Sequence, residues 1–235
     1  MHFVNGRKEG REIKYSADGE VLYDANYKNN KLEGLAQEFY LHNILKSELP
    51  YREGKLDGIA KWYHQNGTLA KEIPYENDIS NGKAIEYHPN GKIAKQSTYK
   101  QGQIEGVSKK FFNDGKLQEI SHFRNGLKNG EFKQYFSNGA LKVEATYQDN
   151  NKIGKEKIYD EKGLLTMERL YDNGIKKRVE VSWYHQNGKL RTQMLYENYQ
   201  AIWQKNFNEL GEVIAKIDCK VQNCLAGLGG IIEEN

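Results

Sequence analysis

Gly82–Gly106 reads GKAIEYHPNGKIAKQSTYKQGQIEG, and two spacings inside it decide the fold. Tyr87 and Tyr99 stand twelve residues apart, and Gly82 and Gly106 twenty-four apart. A period of that length marks a repeat architecture in which each copy is one supersecondary unit. Carried in both directions, the twelve-residue step meets Phe3, Tyr15, Tyr27, Phe39, Tyr51, Tyr63, Tyr75, Tyr87, Tyr99, Phe111, Phe123, Tyr135, Tyr147, Tyr159 and Tyr171 without exception. The twenty-four-residue step meets Gly10, Gly34, Gly58, Gly82, Gly106, Gly130 and Gly154. With aromatics at 11% of the chain, chance does not build such a ladder.

Two further sites in each unit carry turn chemistry. Four residues after the first aromatic come SADG, HQNG, HPNG, FNDG, FSNG and DEKG, ending at Gly19, Gly67, Gly91, Gly115, Gly139 and Gly163, with Asn43-Ile44 as the irregular copy. Three residues after the second aromatic comes Gly54, Gly102, Gly126 or Gly174. Asn-Gly and Asp-Gly tolerate the positive φ that tight reversals require. Between the turns lie short runs rich in Tyr, Phe, Val and Ile, which read as hairpin arms. A fixed apolar column, Val21, Leu45, Leu69, Ile93, Leu117, Leu141 and Leu165, stands six residues before the second aromatic. Even spacing predicts that both share one face, while Glu48, Glu72, Gln96, Glu144 and Glu168 turn to water on the other. Pro50 and Pro74 repeat one position, where the backbone nitrogen is expected to lie outside the ladder.

The hexapeptide WYHQNG occurs at Trp62–Gly67 and again at Trp183–Gly188. The repeat explains it as one arm and turn used twice, five units apart, with a single inserted residue between Tyr171 and Tyr184. A bulge or altered turn is expected around Ile175–Val181. The fold expectation is therefore all-β: an elongated single-layer antiparallel sheet of stacked hairpins over residues 1–207, then a final strand and C-terminal cap over 208–235.

Composition agrees. The chain is 37% hydrophobic with a mean hydropathy of −0.87, too little apolar surface for a thick core. Lys and Arg number 35 against 32 Asp and Glu, for a net charge of +3 spread along the chain. That is too small and diffuse for a nucleic-acid footprint, so no nucleic-acid partner is expected. No apolar run approaches the ~20 residues that span a bilayer, and the opening MHFVNGRKEG has no signal-peptide pattern. A cytoplasmic location is expected, or export if a leader once preceded this start. Cys219 and Cys224 match neither a zinc knuckle nor a redox motif, and are expected as reduced thiols packed in the tail, with a small disulfide as the other reading.

Units of the form G-x4-Y-x3-G-x-L-x5-Y-x2-G, as in GKAIEYHPNGKIAKQSTYKQGQIEG and GEFKQYFSNGALKVEATY, resemble the bacterial variant of the MORN repeat found in YwqK-family toxin–antitoxin antitoxins. The resemblance runs from Phe3 to Phe207 and implies side-by-side hairpins. It also implies a non-enzymatic protein-binding role of antitoxin or immunity type, possible toxin partner included. A structural or membrane-peripheral scaffold is the alternative; binding to anionic liposomes that vanishes at moderate salt distinguishes it. Departures are the Leu41-His42-Asn43-Ile44 turn, Arg178 at a boundary-glycine position, and the tail.

Candidate sites divide by chemistry. His64, His88 and His185 each follow a first-arm aromatic, but the same column holds Ser16, Tyr40, Phe112, Phe136 and Asp160, so exposed turn histidines are expected rather than a metal site. His122 has no visible nucleophile. The recurring glutamates sit in like environments, whereas acid–base work needs unlike ones. No nucleotide, nucleophile-elbow or kinase signature is present, and neither catalytic residues nor cofactors are expected. The remaining candidates are the aromatics off the ladder: Tyr40, Trp62, Phe112, Phe132, Phe136, Trp183 and, near the end, Trp203. Alternation places Trp62 and Phe132 opposite the ladder, where large rings on a polar face are the mark of a binding surface. The competing reading folds these rings over turns or against the tail.

Overall fold

The computed structural model describes residues 2–171, 178–198, 200–221 and 224. Among them there is antiparallel strand throughout, no α-helix, and one 3-10 turn at Leu41–Asn43. Within each unit sheet pairing follows the chain, arms pairing antiparallel with their sequence neighbours. The fold is the expected open sheet of hairpins. It forms two compact units, residues 1–117 with 123–126, and residues 118–122 with 127–235.

Two kinds of turn alternate. After every described first arm except the one that ends at the Leu41–Asn43 turn, the amide of the turn glycine bonds back three residues, as in Gly67 N to His64 O at 2.9 Å and Gly91 N to His88 O at 2.8 Å. Here only the glycine takes positive φ, +80° at Gly67 and +81° at Gly91, a type I turn closed by a left-handed residue. After each second arm both central residues are left-handed: Asn29-Asn30, Glu53-Gly54, Asn77-Asp78, Gln101-Gly102, Asn125-Gly126 and Asp149-Asn150. That is the two-residue turn whose twist matches the strands. The copies without glycine use Asn30, Asp78 and Asn150 for a second purpose. Their side-chain oxygens accept from Lys8 N (2.6 Å), Leu56 N (2.7 Å) and Lys128 N (2.7 Å) of the preceding repeat.

The boundary glycines have their own task. Between hairpins the register slips by two residues, between Gln96 and Thr98 against the arm containing Gly106, and between Glu144 and Thr146 against the arm containing Gly154. Gly106 and Gly154 take φ +76° and +63° in these bulges. Where Arg178 replaces the glycine, Met167–Tyr171 and Val179–Trp183 pair in unbroken register. The part of the expected irregularity at residues 175–177 lies outside the described residues, and Arg178–Val181 is regular. The break beside each boundary also explains the prolines. Pro50 and Pro74 accept from Asp57 N (2.9 Å) and Asn81 N (3.0 Å), and the strand there is interrupted, so the missing N–H costs nothing.

Gly82 shows how tight this packing is. It sits at φ +116°, and a Cβ there would stand 2.9 Å from Pro74 Cγ. Gly91 is left-handed too, but nothing lies within 4 Å of a Cβ there. Gly82→Ala is expected to cost about 2 to 3 kcal/mol and Gly91→Ala about 1 kcal/mol, read as urea midpoints.

The ladder is two rows rather than one. Cross-strand partners share a face. Lys61 pairs with Glu72 and Gly58 with Tyr75. Tyr63, two residues from Lys61, therefore lies on the opposite face from Tyr75. A bulge between Trp62 and Tyr63 puts Leu69 across from Tyr63, which breaks the even count that placed the leucine column with the second aromatic. The same bulge recurs at Lys14/Tyr15, Glu38/Phe39, Glu86/Tyr87, Gln134/Tyr135 and Ile158/Tyr159. On the second-aromatic face the middle positions are small and buried: Ala25, Ala36, Ala60, Ala84, Ser97, Ser108, Ser121 and Ala145. Rows of tyrosine flanking such positions bury them without a second layer.

On the first-aromatic face, the glutamates expected to face water are hydrogen-bonded instead. Tyr63, Tyr87 and Tyr159 donate their phenolic O–H to Glu48, Glu72 and Glu144, each at 2.8 Å. The tail brings another correction. Val213–Asp218 is the last strand among the described residues, paired with Gln200–Phe207, but Cys219 and Cys224 form a disulfide rather than reduced thiols, with Cα atoms 5.1 Å apart. Cys219 falls twelve residues after Phe207, at an aromatic's place in the period. Cys224 packs against a cluster of Val181, Trp183 and Met194.

Candidate functional site

In four of the first turns the first residue reaches the next hairpin. Tyr40 donates its O–H to Tyr63 O at 3.2 Å. His64, His88 and His185 donate from Nε2 to Tyr87 O (3.0 Å), Phe111 O (2.9 Å) and Phe207 O (3.1 Å). Because a carbonyl only accepts, each of these rings carries its proton on Nε2. The histidines are half-buried donors that tie turn to turn, not the exposed side chains expected from a permissive column. Two residues on, Asn66, Asn90, Asn138 and Asn187 donate to the carbonyls of Pro89, Asn113, Glu161 and Glu209. Among the described residues no cluster of His, Cys, Asp or Glu is arranged to hold a metal. His88→Ala is expected to cost about 1 kcal/mol by urea denaturation, the worth of one hydrogen bond, against about 3 kcal/mol for Tyr99→Ala in the aromatic row.

The off-ladder aromatics go to different places. Trp183 is 5% exposed and belongs to the core cluster, so it is no surface anchor. Phe132 stands edge-on to Tyr147, ring centroids 5.6 Å apart, and the Lys128 ammonium lies over both rings. It therefore shares the face of a ladder aromatic. Trp62 likewise shares the face of Tyr75, since it pairs with Lys71, four residues from Tyr75 on the same strand. Both rings point away from the first aromatic of their own arm, as alternation predicts; what fails is the single ladder face, because Tyr63 and Tyr75 lie on opposite faces. Phe112 and Phe136 are half-buried turn residues, one in each unit, and Lys142 Nζ lies 5.4 Å from the Phe136 ring centre. Trp203 borders a shallow hollow of about 440 Å³ near the C-terminus, with Lys205, Lys216 and Asp218.

Tyr40 and Trp62 are brought together. They line an open groove of about 810 Å³ within the first unit, with Lys71, Glu86, Tyr87 and Pro89 on its walls and Ala70 and Ala94 among its lining. The alanines make room. The same column elsewhere holds Leu22, Lys46, Gln118, Lys142 and Thr166, and two neighbouring hairpins with a methyl there leave a depression. Lys71 Nζ caps the Trp62 ring at 4.2 Å, a cation–π contact. Spacing had singled out Tyr40 and Trp62 but not Lys71, Glu86 or the alanines. The available signal was the pair of small residues twenty-four positions apart.

This repeat geometry agrees with a family match. Residues 8–29, 56–77, 80–101, 104–125, 128–149 and 179–198 match the MORN repeat variant model, over half of the chain, and the chain belongs to that family. No curated relative matches it. Among solved structures, TcdB2-TccC3, the same assembly without its hypervariable C-terminal region, and TcdB2-TccC3-Cdc42 are each 10% identical to it. They cover 88%, 86% and 88% of this chain at TM-scores of 0.25, 0.25 and 0.23. This chain spans 14%, 13% and 13% of theirs, and so remote a likeness carries no argument.

Proposed function

We propose that this repeat protein works by binding another protein, without catalysis, and that the groove of Tyr40 and Trp62 is where it does so. The observation that carries the reading is this: two aromatics outside the ladder converge on one open depression, deepened by Ala70 and Ala94. Aromatic side chains in a concave setting are the usual anchors of an interface. The antitoxin or immunity role implied by the YwqK resemblance is the particular use we assign to it, with a toxin as the partner and cytoplasmic neutralisation as the setting. Phe112 and Phe136 remain secondary anchor candidates at their turns.

The test is co-expression with the product of the adjacent gene in a host which that product poisons. Restored growth, lost with Trp62→Leu at unchanged melting temperature, supports the proposal. Restored growth that ignores Trp62→Leu removes the groove from it, and failure to restore growth removes the antitoxin role.

A further inference from the structure

Charge in the groove is uneven in a way that specifies a ligand. Across this face the pairings run Ser47 to Trp62, Trp62 to Lys71, Lys71 to Glu86 and Glu86 to Lys95. The nearby carboxylates are engaged by other cations, Glu38 by Lys46 at 3.0 Å and Glu86 by Lys95 at 3.4 Å. Lys71 has no carboxylate partner among the described residues; its ammonium rests on the Trp62 ring. Resting there keeps the cation oriented and partly stripped of water, at the Trp62 end of the depression, without supplying a counter-charge.

The groove's dimensions add a second constraint. Ala70 and Ala94 occupy the same position of adjacent hairpins. Two strand spacings separate such positions, about 10 Å, which an extended chain covers in about three residues. Resting on the groove reading above, we infer that the ligand is an extended acidic peptide segment. One apolar side chain sits over Ala70 against Trp62, another about three residues away sits over Ala94 beside Pro89, and the carboxylate adjacent to the first meets Lys71 Nζ. The incoming carboxylate displaces no existing ion pair, so its charge is gained without breaking one in the protein.

The experiment uses the full chain and three fluorescein-labelled peptides of about ten residues, each with two phenylalanines three apart. Glutamate occupies the intervening positions in one, glutamine in the second and lysine in the third. Fluorescence anisotropy is expected to show the glutamate peptide bound at least about tenfold more tightly than the glutamine peptide, and the lysine peptide weakest. Lys71→Glu, at unchanged melting temperature, is expected to reverse that order. Equal binding of all three peptides, still weakened by Trp62→Leu, overturns the acidic ligand while leaving the groove as a binding site. An acid preference untouched by Lys71→Glu also overturns it. No binding by any peptide, or binding indifferent to Trp62→Leu, overturns the groove reading and this inference with it.

Discussion

Raising the pH through the tyrosine range is expected to unfold this protein in one steep transition, well before its phenols would finish titrating in the native sheet. Burial first, then a hydrogen bond to Glu48 or Glu72 and the charge of that carboxylate, pushes the phenols of Tyr63 and Tyr87 up to about 12. Burial pushes Tyr147 up to about 12 as well. It raises Tyr51, Tyr75, Tyr159, Tyr184 and Tyr196 in the same direction, and Tyr23 and Tyr171 further. A group whose folded pKa is raised gives its stability in full below the unfolded value, near 10 for tyrosine, and loses it as pH climbs towards the folded value. Each raised phenol costs about 1 kcal/mol across that window once partial exposure is discounted, and together they approach the stability of a small domain. Circular dichroism and phenolate absorbance followed together are expected to change in a single step between about pH 10 and 12. Phenolate appearing near its free value with the sheet signal intact would show that the rows are too loosely packed to hold their protons. Tyr63→Phe and Tyr87→Phe are expected to move the alkaline midpoint upwards, because each removes one ionisation that the folded state resists.

What the sequence made legible was whatever is local and periodic. Turn positions follow from Asn, Asp and Gly within four residues of each other, and arm lengths from the distance between turns. Faces were not legible, because one extra residue beside Tyr63 or Tyr87 inverts every alternation count that crosses it. Cys219 and Cys224 permitted two readings, and only their placement in three dimensions separated thiols from a disulfide. Most telling are the two copies of WYHQNG. Trp62 lies between Ser47 and Lys71 across its strands and lines a groove. Trp183 lies between Met167 and Thr192, beside Val181 and Met194, and is core. An identical hexapeptide thus has opposite fates, set by residues contributed by other hairpins. The groove was half legible for the same reason: its rings stand out along the chain, while its depth depends on two alanines that meet only in the folded sheet.

Loss of Glu156 is expected to be the most damaging single change in the second unit. Its position in neighbouring repeats holds Ala60, Ala84, Ser108 or Phe132; here a carboxylate is 3% exposed. Lys152 Nζ lies 2.6 Å from Oε1, with Arg169 Nη1 at 3.0 Å and the Tyr171 hydroxyl at 3.1 Å from Oε2. Burial alone pushes this carboxyl up, but the hydrogen bond and charge of Lys152, the charge of Arg169 and the bond from Tyr171 outweigh it and hold it below the usual glutamate value. Removing one member of a buried charge group leaves the others uncompensated, so Glu156→Ala is expected to cost about 3 kcal/mol by urea denaturation at neutral pH. A depressed folded pKa contributes stability above the unfolded value and loses it as pH falls through the folded one. The gap between wild type and Glu156→Ala is therefore expected to narrow in acid. The repeat supplies its own control. Glu156 pairs with Arg169 as Ala60 pairs with Ile73, so Glu156→Ala with Arg169→Ile rebuilds a pairing the chain already uses. That double variant is expected to recover most of the lost stability, since an apolar pair of suitable size replaces a buried ion pair at little or no cost. A double variant no more stable than Glu156→Ala would mean that the charge group holds this hairpin in a geometry the alanine-bearing repeats do not share.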